Sequence, residues 1–581
     1  MTTVTRHLLL TILLLAAASV LPGASVPSAH QPPGTIVVDA SRFYHLIPAG
    51  DTIGGGFNAN AGPQWLFNNA ILELGSKEDA VATVAVPETG AYRLFVRSQG
   101  AAGSAFQVSV DGRLSTARFG GGPLSWQAAD SFPLRQGTVE IRLTAIAPRP
   151  TFNVLVLSRN PDFPENDLRA LELPEEVELL RDYKIPDASI VKFGDVDGDG
   201  KPDFLVITSN YSAYMYNNAG RELWHWDAPE QDGRLRGQFE APGSLWDFDH
   251  DGFDEVVHWR IIDGKEWLVM ADGRTGAIKH KVEWPTRPMP HVYNNFRTAI
   301  AKFHPGYADN LLVFTDSGGT ISLTAYDREL KQIWQHSEKR AKDFFGHYIY
   351  PIDLNGDGID EVVLSHLCLD AKGNVIWSNY HLFDDNHDHM DAMEFFDLDG
   401  DGKPELIVGQ SDVGALAYRA MTGEMLWQNL ADHTQQITAG YILKDRKTPQ
   451  VVANGRVYGT RATGFGLGAQ LYWFDHLGNL LFQWPRNPIA GNPNFVRGDW
   501  YGNGGKQFFW HRFKLEDDGR GTLYFKEPVY HMFDFMGNGA EQVITWDRST
   551  LRVYGYRNAP PRKVERDSEY KRNSIANHTH Y

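Results

Sequence analysis

Short apolar runs separated by glycine- and aspartate-rich turns cover nearly the whole chain, and long amphipathic helical periods are missing. Between residues 33 and 158 the runs include Val81-Ala82-Thr83-Val84-Ala85-Val86, Ala91-Tyr92-Arg93-Leu94-Phe95-Val96-Arg97, Phe106-Gln107-Val108-Ser109-Val110, Val139-Glu140-Ile141-Arg142-Leu143 and Val154-Leu155-Val156-Leu157. Several alternate apolar with polar positions, and turn residues divide them. This predicts a small β-sandwich. Residues 159–186 are rich in Pro and Glu and are expected to form a linker or strap with at most a turn or two of helix. The glycine-rich loop from Gly54 to Trp65 is expected either to pack against a second domain or to meet a glycan.

From 187 to about 558 a repeat takes over. Asp353-Leu354-Asn355-Gly356-Asp357-Gly358-Ile359-Asp360-Glu361 runs into Val362-Val363-Leu364, and the same frame starts at Asp195, Asp247 and Asp397. Weaker copies start at Lys302, Asp499 and Asp534, and a faint one lies at Gly440-Tyr441-Ile442-Leu443-Lys444. Most copies lead into a strand, a Gly turn and another strand, as in Ala415-Leu416-Ala417-Tyr418-Arg419 followed by Thr422-Gly423-Glu424-Met425-Leu426-Trp427. Units of roughly 35–60 residues with about four short strands are the signature of propeller blades. The fold class is therefore all-β: an eight-bladed propeller preceded by a small sandwich, with seven blades as the alternative because one copy is faint.

The repeat also brings chemistry. Oxygen ligands at loop positions 1, 3, 5 and 9, with glycines between, suit a hard cation such as Ca2+. The expected ligands are Asp195, Asp197, Asp199 and Asp203; Asp247, Asp249, Asp251 and Glu255; Asp353, Asn355, Asp357 and Glu361; and Asp397, Asp399, Asp401 and Glu405. One such loop would be ordinary turn punctuation; four with full spacing point to bound cations. Because they connect the first and second strands of a blade, they are expected on the face opposite the segments that precede each first strand, where calcium would be structural.

Those preceding segments are rich in His, Arg, Asn and Tyr. They include His291 to Arg297, Phe345 to Tyr350, Asp384 to Asp391 and Asp432 to Gln436. The densest is Asn386-His387-Asp388-His389-Met390-Asp391, where strand alternation would put His387, His389 and Asp391 on one face, able to hold a metal, a proton acceptor, or both. His347 and His433 occupy the matching place in neighbouring blades. A solvated polar loop is the competing reading. Arg297, Arg456, Arg461 and Arg512 are candidate carboxylate clamps, since a planar guanidinium matches a carboxylate bidentately.

Composition and charge narrow the picture. The formal charge of −17 over 581 residues disfavours nucleic acid as a partner. Residues 1–29 read as a signal peptide, with Arg6 and His7 ahead of an apolar run from Leu8 to Leu15, so the protein is expected to be secreted, extracellular or periplasmic. No other span has transmembrane length. A single cysteine, Cys368, excludes an internal disulfide. Residues 559–581 are expected to be a polar tail, and the protein a monomer.

With its DxDGDG loops, its blade period of roughly 50 residues and the His/Asp-rich loop at 384–391, the chain resembles secreted rhamnogalacturonan lyases of the eight-bladed type. It is similar in outline to propeller lyases acting on ulvan or on rhamnose–glucuronate linkages, and its calcium repeat resembles the FG-GAP-like loops of adhesion propellers. The lyase resemblance implies β-elimination on an acidic plant or algal polysaccharide. That chemistry needs a neutralised uronate carboxylate and a general base of near-neutral pKa. His389 or His387 would be the base, with His347 and His433 beside it, and Arg297 or Arg461 would face the carboxylate. Tyr348 or Tyr458 would protonate the leaving oxygen, while Trp473, Trp500 and Trp510 are candidates for sugar stacking. Two alternatives stay open: a glycoside hydrolase on a rhamnose-capped uronic glycan, and a non-catalytic glycan-binding or adhesion propeller.

Overall fold

The computed structural model describes most of residues 32–560. The longest segments outside the description are 49–55, 60–69, 169–175, 230–242, 286–295, 340–345, 383–388, 457–468 and 484–494. The signal-peptide reading, the Gly54–Trp65 loop for the most part, and the tail beyond 560 therefore lie outside the described residues.

The N-terminal part forms two antiparallel sheets, one six-stranded and one four-stranded. They close over a core of fully buried residues such as Phe106, Ile141, Phe152 and Leu155; Phe106 alternates with half-buried neighbours, whereas the central strand Thr151–Ser158 is buried along almost its whole length. The same hydrophobic cluster continues into the second domain through Ile442, Val452, Trp473, Phe508 and Trp510. Ile47–Pro48 adds a strand to the edge of one propeller sheet, pairing with Leu480–Gln483. Burial and a shared sheet thus join the two domains.

Eight antiparallel sheets follow. Taken in chain order as blades one to eight, they span 188–226, 243–283, 296–339, 349–378, 390–429, 433–483, 495–522 and 529–556. The first strands of successive blades lie side by side and line the centre, as the contacts between blades one to four and five to eight show. Among the described residues the count is eight, because the faint copy at Gly440 is a real blade whose first strand, His433–Gly440, pairs with Gln450–Arg456. Blade eight has three strands of its own and takes its outermost strand from Val177–Lys184, which pairs with Thr550–Tyr556. The stretch expected as a linker therefore contributes a strand that closes the ring.

Neighbouring blades are held by a repeated lock. The outer-strand indoles Trp224, Trp334, Trp377 and Trp427 donate to Gly273 O, Ala371 O, Ala420 O and His476 O of the next blade at 2.7, 2.9, 2.9 and 3.2 Å. Each ring lies over a turn glycine of that blade. A Cβ added at Gly423, for example, would fall 2.6 Å from a ring atom of Trp377, at a φ of +71°.

Candidate active site

The expected polar segments meet at the end of the central channel where the first strands of blades four, five and six begin. His347 stands just before its strand, Ile349–Ile352, and is pinned by its backbone: its N–H donates to Met390 O at 3.0 Å, and Gly346 bridges to Met390 in parallel register. Only glycine suits position 346, because φ is +137° and a Cβ would lie 2.9 Å from Ser365 Oγ and 3.1 Å from Met390 O.

Two β-bulges supply the centre. Strand Met390–Phe396 slips register between Met390 and Ala392, and strand His433–Gly440 between Thr434 and Gln436. The extra residues are Asp391 and Gln435, and the bulges re-aim both side chains toward one point. Gln435 Nε2 donates to Asp391 Oδ2 at 2.5 Å. Around the same carboxylate, His433 Nε2 is 2.9 Å from Oδ2, while His389 Nε2 and His347 Nε2 are 3.1 and 3.4 Å from Oδ1. Asp391 is completely buried, His347 nearly so, and the His389 and His433 rings keep 16% and 11% of their side-chain surface.

Burial alone would raise the pKa of Asp391. The adjacent His389, hydrogen bonds from His389 and His433, and the charge of His347 outweigh it and hold the carboxyl well below the usual range. The outer nitrogens are also fixed. His389 Nδ1 is 3.0 Å from Ser411 Oγ, and His347 Nδ1 is 3.3 Å from Arg297 Nη2, while Arg297 Nε donates to His347 O at 2.6 Å. Buried Arg297, expected as a carboxylate clamp, is thus turned onto His347. Below it in the channel wall Lys192, on strand Ala188–Gly194 of blade one, is buried; desolvation first and Arg297 second push its pKa down to about 7.

Tyr348 is half-buried beside blade six, its Oη 3.5 Å from Gln436 Nε2. His387, Arg461 and Tyr458 lie outside the described residues, as does the side chain of Arg456. Arg512 belongs to blade seven, near Tyr530 and His511. The proposed stacking role of Trp473, Trp500 and Trp510 is corrected: all three indoles are buried at 0–1% exposure, filling the packing between sheets. Asp391 as the hub, Gln435, Ser411 and Lys192 were not singled out from sequence. The bulges that aim Asp391 and Gln435 leave no mark in a period-two pattern.

His347, His389 and Asp391 also form a group whose ligand atoms lie within 4.8 Å of one another and could hold a metal ion. Asp391 Oδ1 fits that use, since it is buried between the imidazole nitrogens of His347 and His389. On the opposite face, the loops expected to bind calcium share one geometry. The first aspartate of each accepts from the glycine five residues on, at 2.9 Å for Asp195, 3.0 Å for Asp247, 2.8 Å for Asp353 and 3.0 Å for Asp397. The ninth residue turns back to the second backbone N–H, as Asp203, Glu255, Glu361 and Glu405 all do. Carboxylate groups that could hold a divalent ion are present at Asp195, Asp197 and Asp199, at Asp247, Asp249 and Asp251, and at Asp397, Asp399 and Glu405. The degenerate copies keep the same turn, with Gly504 and Gly539 donating to Asp499 and Asp534.

No family model matches the chain. It is 24% identical over 444 residues to rhamnogalacturonan endolyase YesW of Bacillus subtilis (strain 168), covering 64% of this chain and 67% of that one. It is also 24% identical over 306 residues to rhamnogalacturonan exolyase YesX of the same organism, covering 42% and 48%. Superposed on the crystal structure of exotype rhamnogalacturonan lyase YesX it gives a TM-score of 0.54 at 17% identity, over 91% of this chain and 95% of that one. The chain is a rhamnogalacturonan-lyase-like β-propeller protein. Rhamnogalacturonan lyase PL11 of Bacillus licheniformis gives the same TM-score at 16% identity, over 92% and 95%. This likeness extends the shared fold across both domains. The sequence match is shorter, spanning two thirds of the curated endolyase and about half of the exolyase. Among the described residues no helix is long and apolar enough to cross a membrane.

Proposed function

We propose that the chain is a polysaccharide lyase that cleaves a rhamnose-rich, uronic-acid-containing glycan by β-elimination. The observation that carries this reading is the set of three imidazoles around the buried Asp391 carboxylate, in a chain similar in sequence to two rhamnogalacturonan lyases. Elimination removes the C5 proton of a uronate, forms the C4–C5 double bond and expels the O4 substituent, so the carboxylate must be neutralised while a base takes the proton.

His347, His389 and Asp391 are the residues that would hold a divalent cation, and when bound it would neutralise the substrate carboxylate. The two engaged nitrogens of His389, on Ser411 and Asp391, move the base role from His389 to His433. Asp391 at His433 Nε2 holds that imidazole in place beside the cluster. Tyr348, beside Gln436, is assigned to protonation of the leaving oxygen. Calcium in the DxDGDG loops has a stabilising role on the other face, and the leader at 1–29 exports the protein to where acidic plant or algal glycans are met.

The test is incubation with rhamnogalacturonan and a panel of other polyuronates, reading ultraviolet absorbance of the unsaturated product, for the parent and for His433→Ala. The expected result is a rise with the parent on at least one substrate and none with the variant. Reducing sugar without absorbance would replace this reading by a hydrolase. Binding without any product would replace it by a glycan-binding propeller.

A further inference from the structure

The four full DxDGDG loops are nearly interchangeable in sequence, yet the structure divides them. In the blade-two loop Lys279 Nζ is 2.6 Å from Asp249 Oδ2, 2.6 Å from Glu255 Oε1 and 3.7 Å from Asp251 Oδ2. In the blade-five loop the Arg419 guanidinium is 2.7 Å from Asp399 Oδ2, 2.6 Å from Glu405 Oε1 and 3.8 Å from Asp401 Oδ2. These are the same loop positions, three, five and nine, in both blades. The two cations arrive from different places, however. Lys279 is on the outermost strand of its blade, Ile278–Glu283, and Arg419 ends the third strand, Gly414–Arg419. Two unrelated sequence positions thus deliver a positive charge to one geometric locus.

The other two loops lack this arrangement. At blade one, Lys201 Nζ meets Asp199 alone at 2.9 Å, on the exposed rim, while Asp203 is occupied by the backbone N–H groups of Val196 and Asn218. At blade four, Glu361 accepts from Leu354 N and Asn355 Nδ2, and no ion pair reaches Asp353, Asp357 or Glu361 among the described residues, although these carboxylates are not gathered within 4.8 Å of one another as those of the other three loops are. Calcium binds oxygens at about 2.3–2.6 Å and takes six to eight of them. In blades two and five a nitrogen already lies 2.6–2.7 Å from two of the oxygens such an ion would need. A divalent ion cannot share those oxygens with an ammonium or a guanidinium without like-charge repulsion at contact distance. The position-nine carboxylate uses both oxygens in all four loops, but only in blades two and five is one of them given to a basic side chain.

We propose that Lys279 and Arg419 are internal counter-cations that take the place of calcium in the blade-two and blade-five loops, leaving calcium to the loops of blades one and four. The second half rests on the calcium reading given above; the first stands on the two cation positions alone. The consequence is a propeller whose loops are only partly metal-dependent. Asp247, Asp249, Asp251 and Glu255, and equally Asp397, Asp399, Asp401 and Glu405, then conform to a metal-binding pattern without serving as one.

The test counts calcium bound to the full chain after equilibrium dialysis, by elemental analysis, in the parent and in single variants. Asp249→Asn and Asp399→Asn are expected to leave the count unchanged, whereas Asp197→Asn and Asp357→Asn each lower it by one. Lys279→Met and Arg419→Met, which vacate the locus, are expected to raise it by one each. A count that falls in Asp249→Asn or Asp399→Asn overturns the proposal, and these isosteric variants decide it even if a Met variant fails to fold. A parent that binds no calcium overturns the reading of blades one and four. The internal-cation assignment is then decided by whether Lys279→Met and Arg419→Met gain an ion; no gain overturns it.

Discussion

Replacing Lys192 by Met should change the pH dependence of stability in a way that can be worked out in advance. Burial, reinforced by Arg297, lowers the folded pKa of Lys192 from its ordinary 10.5 to about 7. At 1.36 kcal/mol per pH unit, the buried ammonium costs the folded state about 5 kcal/mol at low pH. The sign follows from proton counting. Between about pH 7 and 10.5 the unfolded chain holds a proton on this lysine that the folded chain does not, so stability rises with pH by about 1.4 kcal/mol per unit. Below pH 7 both states are protonated and the full cost is felt; above 10.5 it vanishes. Lys192→Met keeps much of the side-chain volume and removes the charge. It should therefore be more stable than the parent at pH 7, with the advantage shrinking by about 2 kcal/mol by pH 9. Urea unfolding of both proteins at pH 7, 8 and 9 measures this directly, and groups common to both cancel in the difference. Parallel stability curves for parent and variant would refute a neutral, desolvated Lys192.

Further outcomes are expected. Asp391→Asn should lower lyase turnover by about 100-fold or more, read by product absorbance, because it removes the charge that orients three imidazoles. Since the folded pKa of Asp391 is depressed, its contribution to stability is present above the unfolded value of about 3.9 and lost as pH falls through the folded value, so an acid melt of the variant should be flatter there. Gly346→Ala should retain the far-ultraviolet spectrum of the fold but lose activity, because its Cβ would press on Ser365 and Met390 and shift His347; full activity would show that His347 is not held this way. Gly423→Ala should cost about 1–3 kcal/mol in denaturant unfolding through its clash with Trp377. Chelator should lower the melting temperature, and added calcium should restore it.

The propeller was legible because its repeat is written twice, in loop aspartates and in the apolar run after each. Asp353 and its copies mark the start of each turn whether or not a cation follows, and even the degenerate Asp499 and Asp534 keep the glycine contact. The convergence of His347, His389 and His433 could be anticipated by counting back from those marks. Their hub could not. Asp391 and Gln435 are presented by bulges, and a bulge depends on how two strands pair rather than on which residues they contain. The tryptophans misled for a related reason: an aromatic side chain suits a sugar face and a sheet interface equally, and only burial tells which it meets. Strand Val177–Lys184 was hidden because its partner lies at the far end of the propeller sequence.

That pairing also sets an order of assembly. Val177–Lys184 is made before any of the eight blades, and Thr550–Tyr556, its partner, is the last propeller strand to be synthesised. At about 5–20 residues per second the early strand waits on the order of tens of seconds with its hydrogen-bonding edge unsatisfied. During that time seven sheets can form locally, each from contiguous chain, but the ring remains an open arc. Closure then comes as one late step between distant segments, which makes the nascent chain most open to mispairing just before synthesis ends, and makes a truncation beyond Ser549 far more damaging than its length suggests.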